Sequence, residues 1–166
     1  MKKLLIFYYS WSNGNTKKIA EMLQSAAGAD IEAIETVQPY KGSYDDVVEQ
    51  AQKEVKAGFQ PEIKKLKHDP AAYDVIAVGT PTWWYTMAPA VSSFFSGHDL
   101  SGKTVCCFMT NAGWPGHVIR DMRKAAAGSG NGPDMEVRFD AEGGAQMVTP
   151  QYAVEDWIKK MQAALQ

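Results

Sequence analysis

The sequence predicts a three-layer α/β/α domain on a parallel sheet of five strands in the order 2-1-3-4-5. Three observations carry that expectation: short apolar runs alternate with longer helix-period segments, three of the runs are almost continuously apolar, and glycine-rich or aromatic loops follow those three. Such alternation builds βαβ units, and continuous apolarity is what a strand covered by helices on both faces requires. With 166 residues, 45% of them hydrophobic, the chain can bury a core without staples, and no repeat or linker interrupts it. Residues 1–166 are therefore expected to form one domain.

The first strand is Leu4 to Tyr9. Two lysines precede it, but polar turn residues follow without an A-x-A-like cleavage site, so it does not read as a signal peptide. A helix over Lys17 to Ala27 places Ile19, Leu23, Ala26 and Ala27 on one face and stops at Gly28. Asp30 to Ala33 alternates polar and apolar residues, as an edge strand with one wet face does. Ser43 and Asp46 make a capping-box start to a second helix carrying Val47, Val48, Ala51 and Val55. A polar connection from Gly58 to Pro70 leaves room for a short extra strand at Glu62 to Leu66.

Val75 to Gly79 and Val105 to Met109 are the remaining central strands, and Met135 to Asp140, which alternates, is the second edge. GSGNGP at Gly128 to Pro133 reads as the turn before that edge. The last helix follows Pro150 and turns Val154, Trp157, Ile158 and Met161 inward. The switch point of the 2-1-3-4-5 order lies between the first and third strands, and ligands bind at the carboxyl ends of strands near such a point.

Bulk properties narrow the functional classes. Seventeen basic and 19 acidic residues leave a net charge of -2, too weak a field to argue for nucleic acid or an anionic membrane. No apolar stretch approaches the roughly 20 residues that span a bilayer as a helix. Cys106 and Cys107 are neighbours in an apolar run, which fits a reducing, cytoplasmic setting and two structural thiols. Apart from the neighbouring Asp69 and Asp99, His68 and His98 lack partners at ligand spacing, so no metal site is expected. GxGxxG, GxxxxGK[ST] and GxSxG are absent.

The three loops at the switch point carry the chemistry. In SWSNGNT, Gly14 permits close backbone approach while Ser10, Ser12, Asn13, Asn15 and Thr16 offer hydroxyls and amides to an anion. A helix begins at once, and its open N–H groups and dipole favour a phosphate there. Lys17 and Lys18 fall in the first turn, where cations are disfavoured unless an anion offsets the dipole. Read alone, the loop also fits an ordinary capping turn with solvated lysines. The second loop is GTPTWWYTMAP, Gly79 to Pro89, and the third is TNAGW, Thr110 to Trp114.

These motifs resemble the flavodoxin family over nearly the whole chain, in particular flavodoxin-like bacterial flavoproteins with a GTPxWW segment. The resemblance implies non-covalent FMN, with SWSNGNT on the phosphate and the other two loops around the isoalloxazine. Trp83, Trp84, Tyr85 and Trp114 would supply ring faces, Pro81 would hold the preceding chain extended, and Thr82 belongs to the same cofactor-binding segment. Thr110, Asn111, Ala112 and Gly113 would bring backbone N–H groups to the pyrimidine edge. The phosphate loop departs from the commoner spacing by one residue around Asn13.

Trp84 stands where the family commonly has a glycine whose peptide turns toward the ring. A bulky residue is expected to resist positive φ, so less semiquinone is expected to accumulate than in the acidic carriers. His117, after the third loop, reads as a polar residue at a helix start in preference to a proton donor.

The function implied is electron transfer between redox partners, with no catalytic side chain. The alternative is an FMN-dependent NAD(P)H or quinone reductase, favoured by the weak net charge, by Trp84 and by the absence of acidic residues in TNAGWPGH. A flavodoxin-like fold without flavin, acting as an interaction domain, has least support. Redox proteins or small quinone-type acceptors are the expected partners, and a monomer or weak homodimer the expected state.

Overall fold

The computed structural model describes residues 1–140 and 144–166. In chain order the elements are β1 (Leu4–Tyr8), α1 (Asn15–Ala27), β2 (Asp30–Ala33), α2 (Tyr44–Ala57), β3 (Val75–Trp83), β4 (Thr86–Met87), α3 (Pro89–Gly97), β5 (Thr104–Asn111), α4 (Val118–Ala125), β6 (Gly130–Asn131), β7 (Met135–Arg138) and α5 (Gln151–Ala164). Among the described residues, seven strands form one sheet in the order β2-β1-β3-β5-β6, with β7 also on β5 and β4 folded back on β3. Every pairing is parallel except β3 with β4. The expected 2-1-3-4-5 order holds, but two of its strands are built differently.

The third strand does not stop at Gly79. It runs through Trp83 and returns as β4, pairing Thr82 with Met87 and Trp83 with Thr86. The fifth strand is split: Gly130 and Asn131, expected in a turn, pair with Thr104 and Val105, and Met135 to Arg138 pair with Phe108 to Asn111. Pro133 lies in the gap and has no N–H to give a ladder. The Cys107 N–H that a strand residue would meet there donates instead to Asp134 Oδ1, at 2.8 Å.

Arg123 of α4 fixes that repair, pairing with the Asp134 carboxylate and donating to the carbonyls of Val105 at 2.6 Å and Gly132 at 2.9 Å. Gly132 is needed for the close approach, because a Cβ there would sit 2.2 Å from Cys106 Sγ.

Strand alternation divides the core between the two sheet faces. Leu5, Phe7, Ile76, Val78, Val105, Cys107 and Met109 pack with α3 and α4 residues such as Val91, Phe94, Val118 and Met122. Ile6, Val75, Ala77, Cys106, Phe108 and Val137 pack with Ile19 and Leu23 of α1 and Val154, Trp157 and Met161 of α5. Burial pushes the Cys106 and Cys107 thiols up to about 12, as expected of structural cysteines.

Helix α1 starts two residues earlier than expected and buries Thr16, Ile19, Ala20 and Leu23; Ala26 faces solvent instead. Gly28 ends it in the left-handed region at φ 66° and donates to Gln24 O at 2.8 Å. The Ser43–Asp46 capping box is present in both directions, at 3.0 and 3.1 Å. The extra strand at Glu62 to Leu66 reduces to one bridge, Thr36 with Ile63. Among the described residues, no helix is long and apolar enough to cross a membrane.

Candidate functional site

The carboxyl ends of β1, β3 and β5 open onto a cleft of about 480 Å³ at the switch point. That volume lies in the range of small-molecule sites, ~300–1,000 Å³. Ser12, Asn13, Asn15 and Thr16 line it from the first loop, Pro81 to Tyr85 from the second, and Thr110, Asn111, Ala112 and Trp114 from the third. Ser10, Gly14 and Gly113 are not on the wall. Their parts are in the backbone: Gly14 caps α1 at φ 74°, Ser10 Oγ accepts weakly from Lys17 N at 3.4 Å, and Gly113 N donates to Asn111 Oδ1 at 2.8 Å.

Ser12 and Gly14 are both left-handed, at φ 66° and 74°, which turns the chain sharply into α1. Gly14 brings no side chain, so the N-cap residue itself supplies no side-chain cap, and among the described residues the first turn has only the long Ser10 Oγ contact to Lys17 N at 3.4 Å. Asn15 and Thr16 of the first turn line the cleft, and a helix start of this kind favours an anion. Besides Ser10, two side chains in the loop are already engaged: Thr16 Oγ1 shares a buried hydrogen bond with Thr110 Oγ1 at 2.8 Å, and Asn15 Nδ2 donates to Gly144 O at 2.9 Å. These bonds tie the loop to β5 and to the segment beyond β7, leaving Ser12 and Asn13 with the freer polar groups. Lys18 Nζ lies 6.0 Å from the centre of the Phe139 ring, itself part of the wall.

The aromatic loop is a tight hairpin. Trp84 and Tyr85 are the two residues between β3 and β4, at φ 51° and 69°. Two-residue hairpins with positive φ at both centres normally use Asn-Gly, because each non-glycine residue there costs about 1–2 kcal/mol. The expectation that Trp84 resists positive φ is therefore overturned: it already occupies that region. Surrounding contacts hold it there. Trp84 Nε1 donates to Val48 O at 2.8 Å, and Tyr85 O accepts from His117 N at 2.8 Å. Gly116 abuts the Tyr85 backbone so closely that a Cβ would meet its carbonyl oxygen at 2.2 Å.

Asp121 of α4 completes the clamp, accepting from Thr86 Oγ1 at 2.5 Å and pairing with His117 Nδ1. His117 precedes α4 and faces Asp121, in keeping with its reading as a helix-start residue. Burial raises the Asp121 pKa, but the Thr86 hydroxyl, the hydrogen bond and charge of His117, and Arg120 outweigh it and hold the carboxyl below its ordinary value. A carboxyl depressed in the folded state stabilises above its unfolded pKa and loses that contribution as pH falls through the folded pKa. Melting temperature is expected to drop more steeply below about pH 4 in the parent than in Asp121→Asn, measured by a thermal melt series.

Trp83 packs edge-on against Tyr9 at 5.5 Å, Trp11 at 6.1 Å and Tyr40 at 5.0 Å between ring centres, forming a half-buried wall. Trp11 stacks on Tyr44 at 5.7 Å and 27°. Trp114 is 69% exposed and Trp84 36% exposed, so they form an open aromatic rim. Trp11, Tyr44, Val47, Val48, Ala51 and Phe139 also line the cleft, beyond the residues expected from the loops. Trp11 was missed, although it lies inside SWSNGNT and an aromatic residue in that loop was the signal that could have found it. The α2 residues carried no such signal, because nothing local places α2 over the cleft.

The strand order and a cleft at its switch point define a flavodoxin-like α/β protein. The flavodoxin family model matches residues 3–131, and the chain belongs to that family. Among solved structures it is similar to a candidate flavoprotein from Bacteroides eggerthii DSM 20697, 27% identical, covering 96% of this chain and 97% of that one with a TM-score of 0.77. A flavoprotein in complex with FMN from Lactobacillus acidophilus NCFM is 24% identical over 82% of this chain and 93% of its own, with a TM-score of 0.72. A WrbA-like flavodoxin from Agrobacterium tumefaciens is 16% identical over 99% and 95%, with a TM-score of 0.58. The last two share the fold. None of the curated proteins compared matches the chain.

Proposed function

We propose that this chain binds FMN in the cleft and carries electrons between redox partners. The observation that supports it is one cleft with an anion-ready helix start at one end and an aromatic wall at the other. FMN has that polarity, a dianionic phosphate on a flat amphipathic ring. The amides at the start of α1, with Ser12 and Asn13, would hold the phosphate. Trp83, Trp84, Tyr85 and Trp114 would flank the ring, and the backbone from Thr110 to Gly113 would meet its pyrimidine edge. Bound FMN would supply the electron-accepting chemistry; the chain's residues bind, orient and shield it. Covering roughly 100 Å² of ring on each side contributes about 2–3 kcal/mol per side, so phosphate recognition has to add substantially.

A second reading, an NAD(P)H or quinone reductase, is favoured by the rim. Trp84, Tyr85 and Trp114 are exposed, and residues 110–117 contain no carboxylate to steer a basic protein partner. A small apolar acceptor suits such a rim better. The test is to load the purified protein with FMN without oxygen and add NADH or NADPH alone. The carrier reading expects the flavin to stay oxidised until a reductase protein is supplied; rapid bleaching followed by quinone turnover establishes the second reading. Failure to retain FMN at all overturns both.

A further inference from the structure

The ring cluster behind the cleft ends on a carboxylate. Trp83 lines the cleft, and the Tyr40 ring lies 5.0 Å from it between centres. Tyr40 sits just ahead of α2, half-buried, and its hydroxyl donates to Glu54 Oε1 at 2.7 Å. Gln50, one turn earlier on α2, donates to the other oxygen, Oε2, at 2.7 Å and so keeps Oε1 directed to the phenol. Tyr9, Trp11 and Tyr44 belong to the same cluster, but among the described residues Tyr40 alone of these rings donates its phenol to a carboxylate.

We propose that Trp83, Tyr40 and Glu54 form a proton-coupled relay that carries an oxidising equivalent from the cleft to the α2 surface. It rests on the FMN reading above, because its natural oxidant is a light-excited isoalloxazine ring. The oxidant takes one electron from Trp83, leaving an indole radical cation. Tyr40 returns that electron; its O–H bond breaks and the proton moves to Glu54 Oε1. The products are a neutral Trp83, a neutral phenoxyl radical and a neutral carboxylic acid, so charge and atoms balance. The hole is thereby moved off the ring that touches the cofactor and onto one further from the cleft.

Geometry explains why Tyr40 is the terminus. An oxidised phenol is a strong acid, and it is trapped as a neutral radical only where a base is already hydrogen-bonded to it. In the ground state the proton stays on oxygen: burial, then Glu54, raises the Tyr40 pKa above its ordinary value. Proton loss thus awaits electron loss. Glu54 returns the proton when a recombining electron, or a thiol reductant from solution, refills the phenoxyl.

The test is flash excitation with transient absorption on FMN-loaded protein. The expected record is an indole radical signal that gives way to a phenoxyl signal. Tyr40→Phe is expected to abolish the phenoxyl product of this cluster and prolong the indole radical about tenfold, which is about 1.4 kcal/mol on the barrier to its refilling. Glu54→Gln, nearly isosteric, is expected to slow phenoxyl formation about threefold or more. Traces of both variants that superimpose on the parent's overturn the relay. Lumiflavin, the ring without ribityl phosphate, serves as a diffusing photo-oxidant on FMN-free protein and needs no phosphate loop. If FMN does not bind, the FMN reading fails while the lumiflavin arm still decides the relay: the same dependence on Tyr40 supports it, and independence overturns it.

Discussion

Riboflavin is expected to bind about 10³-fold more weakly than FMN, a difference of about 4 kcal/mol. Stacking cannot distinguish the two ligands, since they carry the same ring. The difference is expected to come from the start of α1, where the N-cap residue Gly14 supplies no side-chain cap. A hydrogen bond to a charged group contributes about 1.5–3 kcal/mol net, and a helix dipole about 0.3–2 kcal/mol toward an anion. Two such bonds and the dipole, less the cost of desolvating a phosphate, leave about 4 kcal/mol. Equilibrium titration of both ligands measures it. Asn13→Asp places a like charge at the polar end and is expected to weaken FMN about ten- to hundredfold while leaving riboflavin nearly unchanged. Equal losses for both ligands would mean that Asn13 shapes the loop and does not face the phosphate.

Asp134→Ala is expected to cost about 3 kcal/mol of folding stability, roughly 6–12 °C in melting temperature. The substitution removes the acceptor that meets Cys107 N at 2.8 Å and strips Arg123 of its counter-ion while that guanidinium still lies against two backbone carbonyls. Arg123 is 17% exposed and Asp134 28% exposed, so water can only partly replace either partner. Asp134→Asn keeps an acceptor for Cys107 and loses the charge; about half the cost is expected. Urea unfolding midpoints of the two variants separate the hydrogen bond from the ion pair.

The sheet order was legible because apolar continuity marks buried strands irrespective of their neighbours. The α2 start was legible because a capping box is a local device. What escaped depended on distant partners. The Trp84–Tyr85 turn carries no Asn-Gly signal, and its positive φ is maintained by Val48, Gly116 and His117, which come from other parts of the chain. The break at Pro133 was visible as a turn signal, yet the flanking strand residues Gly130 and Asn131 were not, since they pair through backbone alone.

The same distinction holds at the site. Loop positions such as Trp83 and Asn111 lie on the cleft wall as their motifs suggested, while Tyr44, Val47, Val48 and Ala51 reach it only because α2 packs over β3. Thr16 shows the limit of reading donors from composition. It lines the cleft, but its hydroxyl is bonded to Thr110, ninety-four residues away in sequence.

Nitrogen–proton correlation NMR during an FMN titration tests the central claim most directly. The account predicts the largest amide shifts at Asn13 to Lys17, with a second set at Trp83 to Tyr85 and Asn111 to Trp114, and loss of the first set when riboflavin replaces FMN. Tight FMN binding with the Asn13 to Lys17 amides unmoved would contradict it.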